Sequence, residues 1–142
     1  MEIKIKKLNK EAIIPTKGTT YSAGYDLYLL EEVEIKPHSN VKCPTGLALE
    51  IPEGYFGAIF ARSGLASKKG VRPSNCVAVI DSDYRGEITI VLHNDFERTV
   101  KLEKGDRVAQ LVIMPYLDVV FNQVEDLSET ERNTGGFGST GR

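Results

Sequence analysis

Apolar positions in this chain recur every second residue far more often than at helical spacing. Ile3 and Ile5 alternate with Lys4 and Lys6, and Val33 and Ile35 with Glu34 and Lys36. Similar short runs follow at 41–43, 47–51, 55–60, 76–80, 87–93, 99–102, 107–114 and 119–125. Successive strand residues point to opposite faces, so the pattern predicts strands with one face on a core. Turn formers separate them: Pro37-His38-Ser39-Asn40, Pro52-Glu53-Gly54, Tyr84-Arg85-Gly86 and Glu103-Lys104-Gly105-Asp106. One helix is predicted, from Ser63 to Lys69, with Ser63 as its cap and Gly70 as its stop. Many short strands at this spacing predict an all-β chain, a jelly-roll-like β-barrel or sandwich with one short helix.

The polar pattern changes near the C-terminus. From Ser128 on, the sequence has four glycines and one large apolar residue, Phe137. A segment so poor in apolar surface cannot order itself. The chain therefore reads as one domain over residues 1–127 and a flexible glycine-rich arm over 128–142. An Arg and a Phe five positions apart fit an arm that orders on a ligand; the plain alternative is a disordered terminus. A chain of 142 residues is long enough for a core without metal or disulfide support.

Composition narrows the function classes. The formal net charge of −2 argues against a nucleic-acid or membrane surface built on bulk charge, although a few Arg focused locally still suit an anionic substrate. Cys43 and Cys76 belong to no CxxC or Cys/His cluster, and read as small buried apolar residues in a reducing cytoplasm. No apolar run is long enough for a leader peptide or a membrane span, so a soluble cytoplasmic protein is expected. His38 and His93 have no metal or nucleophile spacing and read as structural or exposed.

Five blocks carry the candidate chemistry, in the order Ala23-Gly24-Tyr25-Asp26-Leu27, Arg62-Ser63-Gly64-Leu65-Ala66, Val79-Ile80-Asp81-Ser82-Asp83-Tyr84-Arg85-Gly86, Gly105-Asp106-Arg107-Val108-Ala109-Gln110 and Arg132-Asn133-Thr134-Gly135-Gly136-Phe137-Gly138-Ser139. Arg62, Ser63 and Gly64 offer a guanidinium fork, a hydroxyl and close backbone approach, a set suited to phosphate oxygens; the alternative is a capped helix beside a surface Arg. Asp81 ends an apolar strand, where a fixed carboxylate can serve as general base toward water or simply as turn chemistry. Tyr84 offers a ring to a sugar or base, or packs locally, and Arg85 ties the turn by a salt bridge. Asp26, in an irregular segment, either holds a metal-bound water or bonds local backbone. Gln110, polar amid apolar neighbours, partners either a nearby protein group or a ligand.

Taken together, in this order and over nearly the whole chain, the five blocks resemble the trimeric dUTP pyrophosphatases (dUTPases). The resemblance implies a jelly-roll-like subunit in a homotrimer whose three active sites each draw on all three chains. It implies hydrolysis of dUTP to dUMP and pyrophosphate, with Mg2+ held mainly by the triphosphate. By the same match, Asp81 is the base that orients water toward the α-phosphorus, and Tyr84 lies under the deoxyribose and excludes a 2′-hydroxyl. The stretch through Asn75, Ala78, Val79 and Ile80, with Thr89, forms a hairpin pocket for uracil. Arg62, Ser63 and Gly64 bind phosphates of a site on a neighbouring subunit, and Gln110 places phosphates or water. Asp26 supports the water shell of the magnesium. Arg132 grips the γ-phosphate, and Phe137 stacks on uracil with Gly138 alongside.

Two positions depart from the family pattern. Ala61 stands where Pro is usual. Ala78 stands where Gly is usual, and its methyl strains the backbone by on the order of 1 kcal/mol if that position needs a positive φ. The nearest enzymatic alternative is a dCTP deaminase of the same fold, but Val91 occupies the position of that enzyme's catalytic Glu, and Ser82-Asp83 replaces its usual pair after the Asp. A nucleotide-sensing interaction protein that retains the pocket is the non-enzymatic alternative. Neither stable nucleic-acid binding nor membrane association is expected.

Overall fold

The computed structural model describes residues 1–137. Along them run β1 (Lys4–Lys7), β2 (Thr16–Lys17), β3 (Tyr25–Tyr28), β4 (Val33–Ile35), β5 (Asn40–Pro44), β6 (Leu47–Glu50), β7 (Tyr55–Phe60), α1 (Ser63–Lys69), β8 (Val71–Pro73), β9 (Val77–Ile80), β10 (Thr89–Asn94), β11 (Val100–Leu102) and β12 (Arg107–Pro115). A five-stranded sheet has the order β2-β3-β12-β7-β9, a three-stranded sheet the order β5-β10-β8, and β1-β6 and β11-β4 form pairs. Every pairing is antiparallel, and most neighbours are distant in sequence. The result is a jelly-roll-like sandwich whose larger sheet stays open at both edges rather than closing into a barrel.

A single apolar core draws on every sheet. Leu27, Ile59 and Leu111 come from the five-stranded sheet, and Cys43, Val71, Ile90 and Leu92 from the three-stranded one. Ile35, Val100, Leu102 and Leu49 come from the two pairs. The alternation read from the sequence is clean in β10, where Ile90, Leu92 and Asn94 are buried and Thr89 is exposed. In β12 the register shifts between Arg107 and Ala109, and Val108 and Ala109 both face inward. A bulge of this kind lets two consecutive residues share one face.

Several local expectations change. The helix has the predicted bounds, but its N-cap is Arg62, whose carbonyl accepts from the N–H groups of Leu65 and Ala66, and Ser63 makes no cap bond. Gly70 ends the helix at φ 64, and a side chain there would overlap the Phe96 ring. Asp26 lies in β3, not in irregular chain, and β2 and β8 are additional strands. The predicted strand at 119–125 is absent, because the run has no neighbouring strand to pair with in this one chain. Cys76 is exposed, contrary to expectation, since it sits on a surface turn, whereas Cys43 is buried. No helix among the described residues is long and apolar enough to cross a membrane.

Candidate active site

The five-stranded sheet sets one row of residues side by side: Asp26 on β3, Gln110 on β12, Phe60 on β7 and Val77 on β9 are consecutive partners. At the Asp26 end of that row opens a cleft of about 540 Å³, lined by Gly24, Asp26, Arg62, Ser63, Gly64, Lys68, Lys69, Arg107 and Gln110 among others. The Asp26 side chain is 11% exposed and bridges two guanidinium groups, Arg62 Nε at 2.8 Å and Arg107 Nη1 at 3.2 Å. Arg62 also donates from Nη1 to the Arg107 carbonyl at 3.2 Å. Asp26 therefore bonds side chains, not the local backbone. Its charge compensates part of the surrounding positive field and fixes both arginines in place. Gln110 donates from Nε2 to the Ala61 carbonyl at 2.8 Å. It has room because residue 24 is glycine: a Cβ there would overlap the Gln110 carboxamide. The carbonyl that receives this bond is available whether residue 61 is Ala or Pro.

At the opposite edge of the same sheet, β9 and the neighbouring β10 of the three-stranded sheet frame a small cavity of about 100 Å³. Ser74, Asn75, Ala78, Thr89, Ile90 and Val91 are among its walls. The space suits one small heterocycle and not a whole nucleotide. Ala78 lies in the extended strand β9 and is not among the residues of positive φ; that conformation belongs to Cys76, at φ 63. The strain expected at Ala78 is thus absent. Ile80 packs against the core, while Val79 is exposed.

Asp81 is exposed, directly after β9, and fronts a separate depression with Phe56, Val79, Ser82, Asp83 and Tyr116. Its carbonyl accepts from Tyr84 N–H at 3.2 Å. Arg85 ties the turn by donating from Nη1 to the carbonyls of Ser82 and Tyr84, at 2.6 and 3.1 Å, and not by the expected salt bridge. The Tyr84 hydroxyl donates to the Glu87 carbonyl at 3.0 Å, which lays the ring over Gly86. Beyond β12, Arg132 Nε donates to the Gly135 carbonyl at 2.8 Å, and Phe137 is fully exposed. Gly138 lies outside the described residues. His38 pairs with Glu97, and His93 with Asn40 and Asp95, so both are structural.

One copy of the chain does not bring these groups together. From Asp26 to Val77 is three strand spacings, and Asp81 lies four residues further along β9, so Asp26 and Asp81 are on the order of 20 Å apart. Arg62, Ser63, Gly64, Gln110 and Asp26 share the cleft. Asn75, Ala78 and Thr89 share the small cavity. Asp81 and Val79 stand apart from both. Sequence reading missed Arg107 as the second partner of Asp26, and Arg72 with its fork on Asp95; each pair is remote along the chain.

No group of three or more His, Cys, Asp or Glu among the described residues is arranged to hold a metal. Both oxygens of Asp26 already face guanidinium groups. Magnesium keeps most of its waters and needs only one or two carboxylates when phosphate oxygens complete its shell. The donor set therefore fits a magnesium ion delivered on a triphosphate, met through water, and does not fit a resident ion.

The model of the dUTPase family matches residues 10–141. The chain is 49% identical over 142 residues to the deoxyuridine 5'-triphosphate nucleotidohydrolase of Nautilia profundicola, covering all of both chains. It superposes with a TM-score of 0.91 on the dUTPase of Staphylococcus bacteriophage 80alpha solved with dUpNHpp, at 31% identity and 99% coverage of each chain. A mutant dUTPase from phage phi11 of S. aureus, described with a structural Mg(II) ion, gives a TM-score of 0.81 at 27% identity, covering 89% of this chain and 98% of that one. With the family model matching residues 10–141 and a relative 49% identical over the whole chain, the chain belongs to the dUTPase family.

Proposed function

We propose that this protein hydrolyses dUTP to dUMP and pyrophosphate, with Asp81 as the base that activates water. The observation that carries the assignment of roles is the geometry of β9. A ring-sized cavity lies against Ala78, and an exposed carboxylate stands three residues on, roughly 10 Å away along the strand. That is the scale of the span from a pyrimidine ring to the α-phosphorus of its nucleotide. In this reading, backbone groups from Asn75 to Ile80, with Thr89, read the edge of uracil. Tyr84, fixed by its bond to the Glu87 carbonyl, supports the deoxyribose and leaves no room for a 2′-hydroxyl. Asp81 takes a proton from water as the water oxygen bonds to the α-phosphorus. The bond from that phosphorus to the bridging oxygen breaks, and pyrophosphate leaves with the electron pair.

The phosphates need positive charge, and the cleft around Arg62, Ser63, Gly64 and Gln110 carries it. Because that cleft is too far from Asp81 within one copy, the site requires the cleft of a neighbour, and a homotrimer with shared sites is part of the proposal. Asp26 would meet, through water, a magnesium ion carried on the triphosphate, and that ion would supply charge neutralisation at the α-phosphate. Arg132 on the 128–142 arm meets the γ-phosphate, and Phe137 with Gly138 covers the base, excluding bulk water. Two free thiols fit a reducing compartment, and the cytoplasm is the proposed location.

Pyrophosphate release from dUTP, measured with magnesium present, tests the mechanism. The parent should turn over dUTP, and Asp81→Asn should be slower by on the order of 10²–10⁴ while still binding dUMP. UTP and dTTP should be poor substrates. A parent as inactive as Asp81→Asn that still bound dUTP would instead be a nucleotide sensor, and ammonia released from dCTP would mark a deaminase.

A further inference from the structure

Arg72 is the middle residue of β8, at the edge of the three-stranded sheet. Its guanidinium grips the Asp95 carboxylate with two bonds, Nε to Oδ2 at 2.8 Å and Nη2 to Oδ1 at 3.0 Å. Such a fork fixes the plane of the group as well as its position. Asp95 is anchored in turn by its own N–H, which donates to the Gly70 carbonyl at 2.8 Å. The His93 ring, 3.4 Å from Asp95, belongs to the residue opposite Arg72 in the β8–β10 ladder. The hydrogen bond from Arg72 holds the Asp95 carboxyl below its usual range.

With Nε and Nη2 committed to Asp95, Nη1 reaches forward along the chain. It donates to the Pro73 carbonyl at 3.3 Å and lies 4.0 Å from Cys76 Sγ. The same carbonyl accepts from Cys76 N–H at 3.1 Å, the bond that closes the turn between β8 and β9. Within that turn Cys76 has φ 63, a conformation that a residue with a side chain keeps only where its surroundings hold it. Ser74 and Asn75, the two residues inside the turn, are walls of the small cavity.

We infer that Arg72, clamped by Asp95, is a positioning residue for the pyrimidine pocket: it holds the 73–76 turn in the shape that sets Ser74 and Asn75 around the ring. The inference rests on reading that cavity as the uracil site. Arg72 touches neither phosphate nor water in this scheme. Its loss therefore loosens ground-state and transition-state binding alike and leaves the chemical step untouched.

The test uses the full-length protein, with kcat and KM for dUTP and calorimetric Kd for dUMP measured on Arg72→Met, Asp95→Asn, the double variant and Asn75→Ala. Arg72→Met should raise KM and the dUMP Kd together by about two- to tenfold, the loss of one ordinary hydrogen bond, with kcat within about twofold of the parent. Asp95→Asn should move both in the same direction by less, and the double variant should be no worse than Arg72→Met alone. Unchanged KM and Kd in a folded Arg72→Met would overturn the inference. Should that variant fail to fold, unchanged constants in Asp95→Asn would overturn it equally. An Asn75→Ala variant that binds dUMP as the parent does would instead remove the cavity as the base site, a failure distinct from that of Arg72.

Discussion

Gly24 is small because Gln110 occupies the space a side chain would take. That turns a conformationally bland residue into a determinant of the cleft. Gly24→Ala should push the Gln110 carboxamide off the Ala61 carbonyl and lower kcat/KM for dUTP by about tenfold, with the fold intact by circular dichroism, since one hydrogen bond and a placed donor are lost. The two cysteines divide sharply at this scale. Burial pushes the Cys43 thiol up to about 11, and Cys76 is exposed on the turn beside the small cavity. One equivalent of a thiol reagent should therefore label the folded chain, at Cys76, and dUMP should slow the labelling; mass spectrometry of the digested protein reads both.

At the level of strands and turns, the least legible feature in the sequence is Asn94, which is fully buried at the end of β10. Its Nδ2 donates to the carbonyls of Ile35 and Arg98 at 2.9 and 2.8 Å, and its Oδ1 accepts from Phe96 N–H at 2.9 Å. It thereby stitches β4 to the loop after β10. Asn94→Ala leaves those backbone groups buried without partners and should cost about 3 kcal/mol in urea unfolding. Cys43 adds a pH dependence. Its folded pKa, about 11, lies above the ordinary value near 9, so stability should be complete below pH 9 and fall as pH rises toward 11, because the unfolded chain releases a proton that the folded chain keeps. Cys43→Ala should lack that component of the decline. The alternating strands and the helix ending at Gly70 were legible because period and stop signal are local. β3 was not, since Asp26 is buried by two arginines, one of them 81 residues away. β8 was hidden by Pro73, which an edge strand tolerates. The Asp95 clamp on Arg72 spans 23 residues and leaves no trace in any periodic pattern.

For the whole molecule, the segment after β12 is the least satisfied part of the fold. Leu117, Val120, Phe121 and Leu127 are each more than four-fifths exposed, apolar surface that a lone chain leaves in water. On the proposal of shared sites between three copies, sedimentation should give a particle of three chains. Deleting the chain from Arg132 onward should leave that particle assembled, with its melting midpoint within about 2 °C, since the described bonds of Arg132 and Asn133 stay within residues 130–135, yet hydrolysing dUTP poorly. The roughly 20 Å that part Asp26 from Asp81 also have a genetic reading. On the proposed mechanism, a chain with a damaged cleft and a chain with a damaged Asp81 turn should each be nearly inactive alone. Co-expressed, they should form mixed particles in which some junctions receive an intact half from each parent, so that an Arg62→Ala strain and an Asp81→Asn strain, both dead, complement one another.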